Sequence, residues 1–179
     1  AESTAFENHS GSLTAVDCYF EGAIAASDAA ADGALYENCV FKGEEVAIIL
    51  STGNSTVWYS TIRGDVTTGK EKTQNLLVAM NRFENLGGVS YDGTHNSVVL
   101  LNEIERVTVK NSTNAYVCSN DLYGDMVFDG VNYLLATRNN TLGRIETANI
   151  QNFNGDNITD VDARTAYGVN EDLLPHINK

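Results

Sequence analysis

The sequence predicts an all-β chain, a right-handed parallel β-helix (solenoid) of about seven or eight coils with a C-terminal cap. Three observations predict it. Similar segments recur at a fixed offset of 21 residues, polarity alternates inside each segment, and turn residues follow most of them. Five segments align: Cys18-Tyr19-Phe20-Glu21-Gly22, Cys39-Val40-Phe41-Lys42-Gly43, Ser60-Thr61-Ile62-Arg63-Gly64, Asn81-Arg82-Phe83-Glu84-Asn85 and Asn102-Glu103-Ile104-Glu105-Arg106. A unit this short cannot bury its own apolar face, so it must stack on copies of itself.

Along the first coils, Val16, Cys18 and Phe20 share one face of a strand, while Asp17, Tyr19 and Glu21 share the other. The next rungs place Cys39 and Phe41, Ser60 and Ile62, Asn81 and Phe83, and Asn102 and Ile104 inward. An inward asparagine row follows, Asn81 and Asn102, extended by Asn120 and Asn140, whose amides can donate and accept along the coil axis. Residues 66–75 are polar and carry Lys70, Glu71 and Lys72, which reads as an elongated turn.

Beyond residue 106 the period loosens. Asn120-Asp121-Leu122-Tyr123-Gly124 arrives 18 residues after the preceding rung, and Asn140-Thr141-Leu142-Gly143 follows. Coils are expected over 1–159 and a cap, partly helical, over 160–179, because an open end would expose unpaired strand edges. No matching cap pattern precedes Phe6, so the coils are expected to form the C-terminal part of a longer helix.

Composition narrows the function. The 179 residues carry a formal net charge of −13, with 24 acidic against 11 basic side chains. A nucleic-acid partner is not expected, because phosphate backbones need clustered lysine and arginine. No apolar run reaches the roughly 20 residues that cross a bilayer, so membrane insertion is not expected either. Three cysteines do not make a disulfide framework. Cys18 and Cys39 would lie one rung apart, about 4.8 Å, which leaves both a disulfide and stacked free thiols open. Sequons stand at Asn8, Asn54, Asn111, Asn139 and Asn157.

The segments Asp17-Cys18-Tyr19-Phe20-Glu21-Gly22 and Ala34-Leu35-Tyr36-Glu37-Asn38-Cys39-Val40-Phe41-Lys42-Gly43 resemble the rungs of the pectin-lyase-like superfamily, and of pectin methylesterases in particular. The resemblance covers residues 12–65 and implies the β-helix fold and a pectin-type acidic glycan as partner. It does not carry the esterase activity. Where that family has Gln-Asp-Thr and Val-Asp-Phe after its rung glycines, this chain has Ala23-Ile24-Ala25 after Gly22, Glu44-Glu45-Val46 after Gly43 and Asp65-Val66-Thr67 after Gly64.

A lyase chemistry would need a base and cations that neutralise the sugar carboxylate. The stacking puts Lys42 and Arg63 in one outward row, with Arg82 nearby on the third rung; these are the candidate catalytic residues. Glu44, Glu45 and Asp65 follow those rungs and are the candidate ligands for Ca2+ through oxygen. Tyr59 and Tyr19 point outward and are candidates for stacking on sugar. The row Glu21, Lys42, Arg63, Glu84 reads equally as a cross-strand charge ladder. A second calcium reading, over Asn152 to Asp162, competes with a plain Asp/Asn-rich turn. The expected function is an extracellular or cell-surface domain engaging an acidic polysaccharide. The alternative is a non-catalytic adhesive, filament-forming or fibre domain that self-associates.

Overall fold

The computed structural model describes residues 4–28, 33–51, 53–69 and 73–159. Among them there is no helix. Short strands pair in parallel, coil upon coil, into a β-solenoid of about seven turns. The cap expected at 160–179 lies outside the described residues.

Each coil contributes to three faces. The first face is built from Leu13–Val16, Ala34–Glu37, Thr56–Trp58, Gln74–Ala79, His95–Leu100 and Thr113–Cys118, paired in that order. The second begins with Tyr19–Glu21 and includes Arg82–Glu84, Glu103–Ile104 and Asp121–Leu122. The third includes Thr4–Asn8, Ile24–Asp28, Gly88–Asp92, Arg106–Lys110, Met126–Asp129 and Ile145–Ala148. Four longer strands bend round a corner. Val40–Leu50 and Thr61–Thr68 join the second face to the third, and Asn132–Thr141 and Gln151–Thr159 join the first to the second.

The alternation read in the sequence sets the interior. It does not run across Asp17, whose left-handed backbone separates two strands, so that Val16 is 46% exposed instead of sharing a face with Cys18 and Phe20. Phe20 pairs with Phe41 and Phe41 with Ile62, each one coil apart. The Phe20 and Phe41 rings stack at 5.1 Å, and Tyr36 meets Phe41 edge-on at 5.3 Å. Each fully buried aliphatic or aromatic side chain here contributes about 2–3 kcal/mol relative to exposure. The Tyr36 and Tyr91 hydroxyls are buried without a hydrogen-bond partner.

The corner between the first and second faces is a column of left-handed residues. Asp17, Asn38, Tyr59, Met80, Leu101, Ser119 and Arg138 all have φ between 50° and 56°. That conformation turns the next residue inward, and those residues form a hydrogen-bonded ladder. The Cys39 N–H donates to Ser60 Oγ at 3.0 Å, the Ser60 N–H to Asn81 Oδ1 at 2.9 Å, and the Asn81 N–H to Asn102 Oδ1 at 3.0 Å. The column continues through Asn120 to Asn139.

Two further expectations need correcting. The last member of the asparagine row is Asn139, not Asn140. The spacing along the ladder shortens from 21 residues to 18 and then 19. A slip of one residue in a strand reverses the side chain, so Asn139 is fully buried while Asn140 is exposed. The shortening sits at the corner after Ile104, where Glu105 alone does the work of Glu84, Asn85, Leu86 and Gly87 one coil earlier. The polar stretch 66–75 is also not one long turn. Its start, Val66 to Thr68, belongs to the strand Thr61–Thr68, and Val66 is fully buried.

Candidate functional site

The outward rows of the second face carry most of the residues singled out by sequence. One row runs in register Glu21, Lys42, Arg63, Glu84. The other includes Tyr19, Val40, Thr61, Arg82 and Glu103. Lys42 and Arg63 are therefore neighbours about 4.8 Å apart along the coil axis, as expected. Arg82 belongs to the other row and does not join them.

Lys42 Nζ lies 5.1 Å from the centre of the Tyr19 ring. A hydrogen bond to the Tyr19 side chain raises the Lys42 pKa above its ordinary value. The Tyr19 hydroxyl in turn donates to the Glu21 carboxylate. With its amide oxygen turned toward Arg63, Asn85 accepts from that guanidinium at 2.6 Å. Glu21, Lys42, Arg63 and Asn85 border an open depression of about 560 Å3 at the corner between the second and third faces, with Gly22, Ala23, Gly43 and Glu44 completing its wall.

Gly43 gives the depression its shape. A Cβ there would run into the Val46 carbonyl, because the chain folds back on itself in a bulge between Lys42 and Val46. The bulge leaves Glu44 and Glu45 exposed at the rim. Asp65, the third candidate calcium ligand, is otherwise engaged. Its two carboxylate oxygens accept from a single Arg106 nitrogen, Nη2, at 2.9 and 2.7 Å, and the Gly88 N–H donates to the same carboxylate at 2.9 Å. Arg106 is fixed further by donating to the Leu86 carbonyl at 2.8 Å. Among the described residues no three His, Cys, Asp or Glu side chains gather as a metal site.

The segment read as a calcium loop or turn, from Asn152, is neither as far as Thr159. It lies in the strand Gln151–Thr159, which pairs in parallel with Asn132–Thr141. Asn152 Nδ2 donates to Asn132 Oδ1 at 3.1 Å. Asp160 and Asp162 lie outside the described residues.

Arg82 lines a second, shallower depression of about 400 Å3 with Tyr59, Met80, Leu101, Glu103 and Asp121. Its Nε is 3.7 Å from the Glu103 carboxylate, which also accepts from the Tyr123 hydroxyl at 2.7 Å. Tyr59 is exposed and its ring sits 5.6 Å from that of Trp58. The two tyrosine candidates thus divide, Tyr19 beside Lys42 and Tyr59 beside Arg82.

Two participants went unnoticed in the sequence. Asn85 stands in the column of Gly22, Gly43 and Gly64, so the same 21-residue offset could have placed it beside Arg63. Arg106 had no such signal, because its partner Asp65 is 41 residues away. No disulfide joins Cys18, Cys39 and Cys118. Burial raises the Cys39 pKa. Asn139, one of the sequons, is enclosed in the ladder.

Chemically, the Lys42–Arg63 depression offers two adjacent cations and an amide on an open wall. That arrangement can hold anionic groups repeating along an extended chain. No protein-family model matches the chain, and no curated protein or solved structure matches it.

Proposed function

We infer that the chain is an extracellular domain that binds an acidic polysaccharide along the second face without cleaving it. The observation that carries this reading is the adjacency of Lys42 and Arg63 on neighbouring coils, in an open depression of an otherwise acidic chain. A polymer with regularly spaced carboxylates would lie across the coils, one uronate against the Arg63 fork and the next against Lys42. Tyr19 would add an aromatic surface beside it. Binding is favoured over turnover by the state of the nearby carboxylates. Glu21 is taken by Tyr19, and Asp65 by Arg106 and Gly88, so neither stands ready as a base. If calcium takes part, Glu44 and Glu45 at the rim would share it with the glycan carboxylates.

Affinity electrophoresis in gels containing polygalacturonate or alginate, with and without calcium, tests this reading. Retarded migration is expected, and it should disappear in the double variant Lys42→Ala/Arg63→Ala while Arg82→Ala keeps it. Wild-type protein that migrates freely in every gel would sink the proposal. Growth of ultraviolet absorbance from unsaturated product ends would replace binding with lyase activity.

A further inference from the structure

We propose that the outer side of the first face is a self-association surface, on which a second copy of this chain packs with its solenoid axis antiparallel. Two outward columns make up this surface. One runs Thr56, Leu77, Val98, Tyr116, Leu135 in register, and the other Trp58, Ala79, Leu100, Cys118, Thr137. All but the buried Ala79 and exposed Tyr116 are half-buried, the accessibility of side chains lying flat on a sheet with nothing above them. Neither column carries a charge over these five coils, in a chain whose net charge is −13. The second face, by contrast, sets Glu21, Lys42, Arg63, Arg82, Glu103 and Asp121 outward. The first face is therefore where two acidic chains can meet without repulsion.

The rim extends the apolar surface at a conformational cost. Met80 and Leu101 occupy the left-handed corner position with φ of 56° and 55°, where Asn38 stands two coils before Met80. A bulky residue there is disfavoured by about 1 kcal/mol relative to one that tolerates the conformation. Both side chains are nonetheless large, apolar and exposed, at 38% and 47%.

Charge at the two ends selects the orientation. Glu37 sits on the coil before the apolar stretch, paired with Trp58, and Arg138 follows Thr137 on its last coil. A two-fold axis along the strands, between the Leu77 and Val98 coils, brings each column against itself with the coil order reversed. Leu77 then meets Val98 of the second copy, and Glu37 comes opposite its Arg138. The pattern is self-complementary, as an isologous pair requires. The face measures roughly 20 Å along the strands by 25–30 Å along the axis. With its rim, that approaches the about 800 Å2 per partner of a standard interface.

Sedimentation velocity of the full chain over a concentration series tests the proposal. A monomer–dimer equilibrium is expected, unchanged or tightened by raised salt because its driving force is apolar. Val98→Glu should leave a monomer with an unaltered β-sheet circular dichroism spectrum, and Leu77→Lys, also outward, should do the same. Glu37→Arg should weaken the dimer about two- to fivefold, and adding Arg138→Glu should restore it. A wild-type chain that stays monomeric at every concentration overturns the proposal. So does a folded Val98→Glu variant that dimerises as wild type does, or a charge swap that fails to restore association.

Discussion

Asn120 Oδ1 accepts two hydrogen bonds from a single residue one coil below it, from the Asn102 backbone N–H at 2.9 Å and from Asn102 Nδ2 at 3.0 Å. The same Nδ2 also donates to the Val78 carbonyl at 2.9 Å. Asn102 repeats the arrangement toward Asn81 and Val57 supplies the corresponding carbonyl there, so each amide satisfies groups on both sides of a buried corner.

Replacing Asn102 should therefore be costly. Asn102→Leu removes the acceptor for the Asn81 N–H and leaves that donor buried and unpaired, with the Val78 carbonyl losing its bond as well. A loss of about 3 kcal/mol or more is expected in urea denaturation. Asn102→Ser should cost less, because Ser60 fills the same place two coils earlier and accepts a backbone N–H through its hydroxyl.

The unpartnered phenols make the opposite prediction. Tyr91→Phe removes a hydroxyl that is buried with nothing to bond, so stability should be unchanged or higher by up to about 1 kcal/mol. Tyr36→Phe should behave alike. A loss of more than about 1 kcal/mol in either would show that the hydroxyl has a role its surroundings do not reveal.

Alkaline pH should expose the same groups. Burial pushes the Tyr91 phenol well above its ordinary value of 10.0, and burial with the Asp28 charge does so for Tyr36. Burial also raises Cys39 above 9.0. Above those ordinary values the unfolded chain has released protons that the folded chain retains, so stability falls as pH rises. The stability is fully present below about pH 9 and is lost progressively above it. Urea midpoints measured across this range should fall less steeply in Tyr36→Phe/Tyr91→Phe than in wild type.

Arg106 should matter more than a typical surface arginine. Its Nη2 bonds both oxygens of an Asp65 carboxylate whose side chain is only 18% exposed, while its Nη1 reaches the Leu86 carbonyl. Arg106→Ala is expected to cost about 1–2 kcal/mol, at the upper end for a partly exposed pair. Arg106→Lys keeps the charge but has one nitrogen to serve both Asp65 and the Leu86 carbonyl, and should recover only part of that loss.

Glycosylation should be selective. Secreted from a glycosylating host, the protein should carry no glycan at Asn139, whose side-chain nitrogen donates to the Val117 carbonyl at 2.7 Å inside the ladder. Asn54 and Asn111 lie exposed at another corner and remain available. Peptide mass spectrometry would decide, and a glycan on Asn139 of folded protein would contradict the ladder.

The coils were legible because stacking imposes identity of position on every rung. Phe20, Phe41, Ile62, Phe83 and Ile104 fell inward as read, since a strand has period two and a solenoid repeats it without drift. The reading slipped at Asn139 because the corner after Ile104 sheds residues, and nothing in the letters marks where a turn shortens. Half of the candidate site was also visible. Lys42 and Arg63 are neighbours for the reason their spacing gave, whereas Arg82 is two residues out of phase with Arg63 and so joins the other outward row. Asp65 was read as a free ligand because its partner Arg106 lies two coils on.

The sequence by itself determined the coil, its inward rows and the adjacency of Lys42 with Arg63, all consequences of a one-dimensional period. The tertiary structure decided what meets across corners: Asp65 with Arg106, Asn85 with Arg63, and an uncharged stretch of the first face set apart from the charged second. Those relations depend on how many residues each corner takes and where a bulge such as that at Gly43 turns the chain. Small differences in turn length move a side chain from one face to another, and no period in the sequence records them.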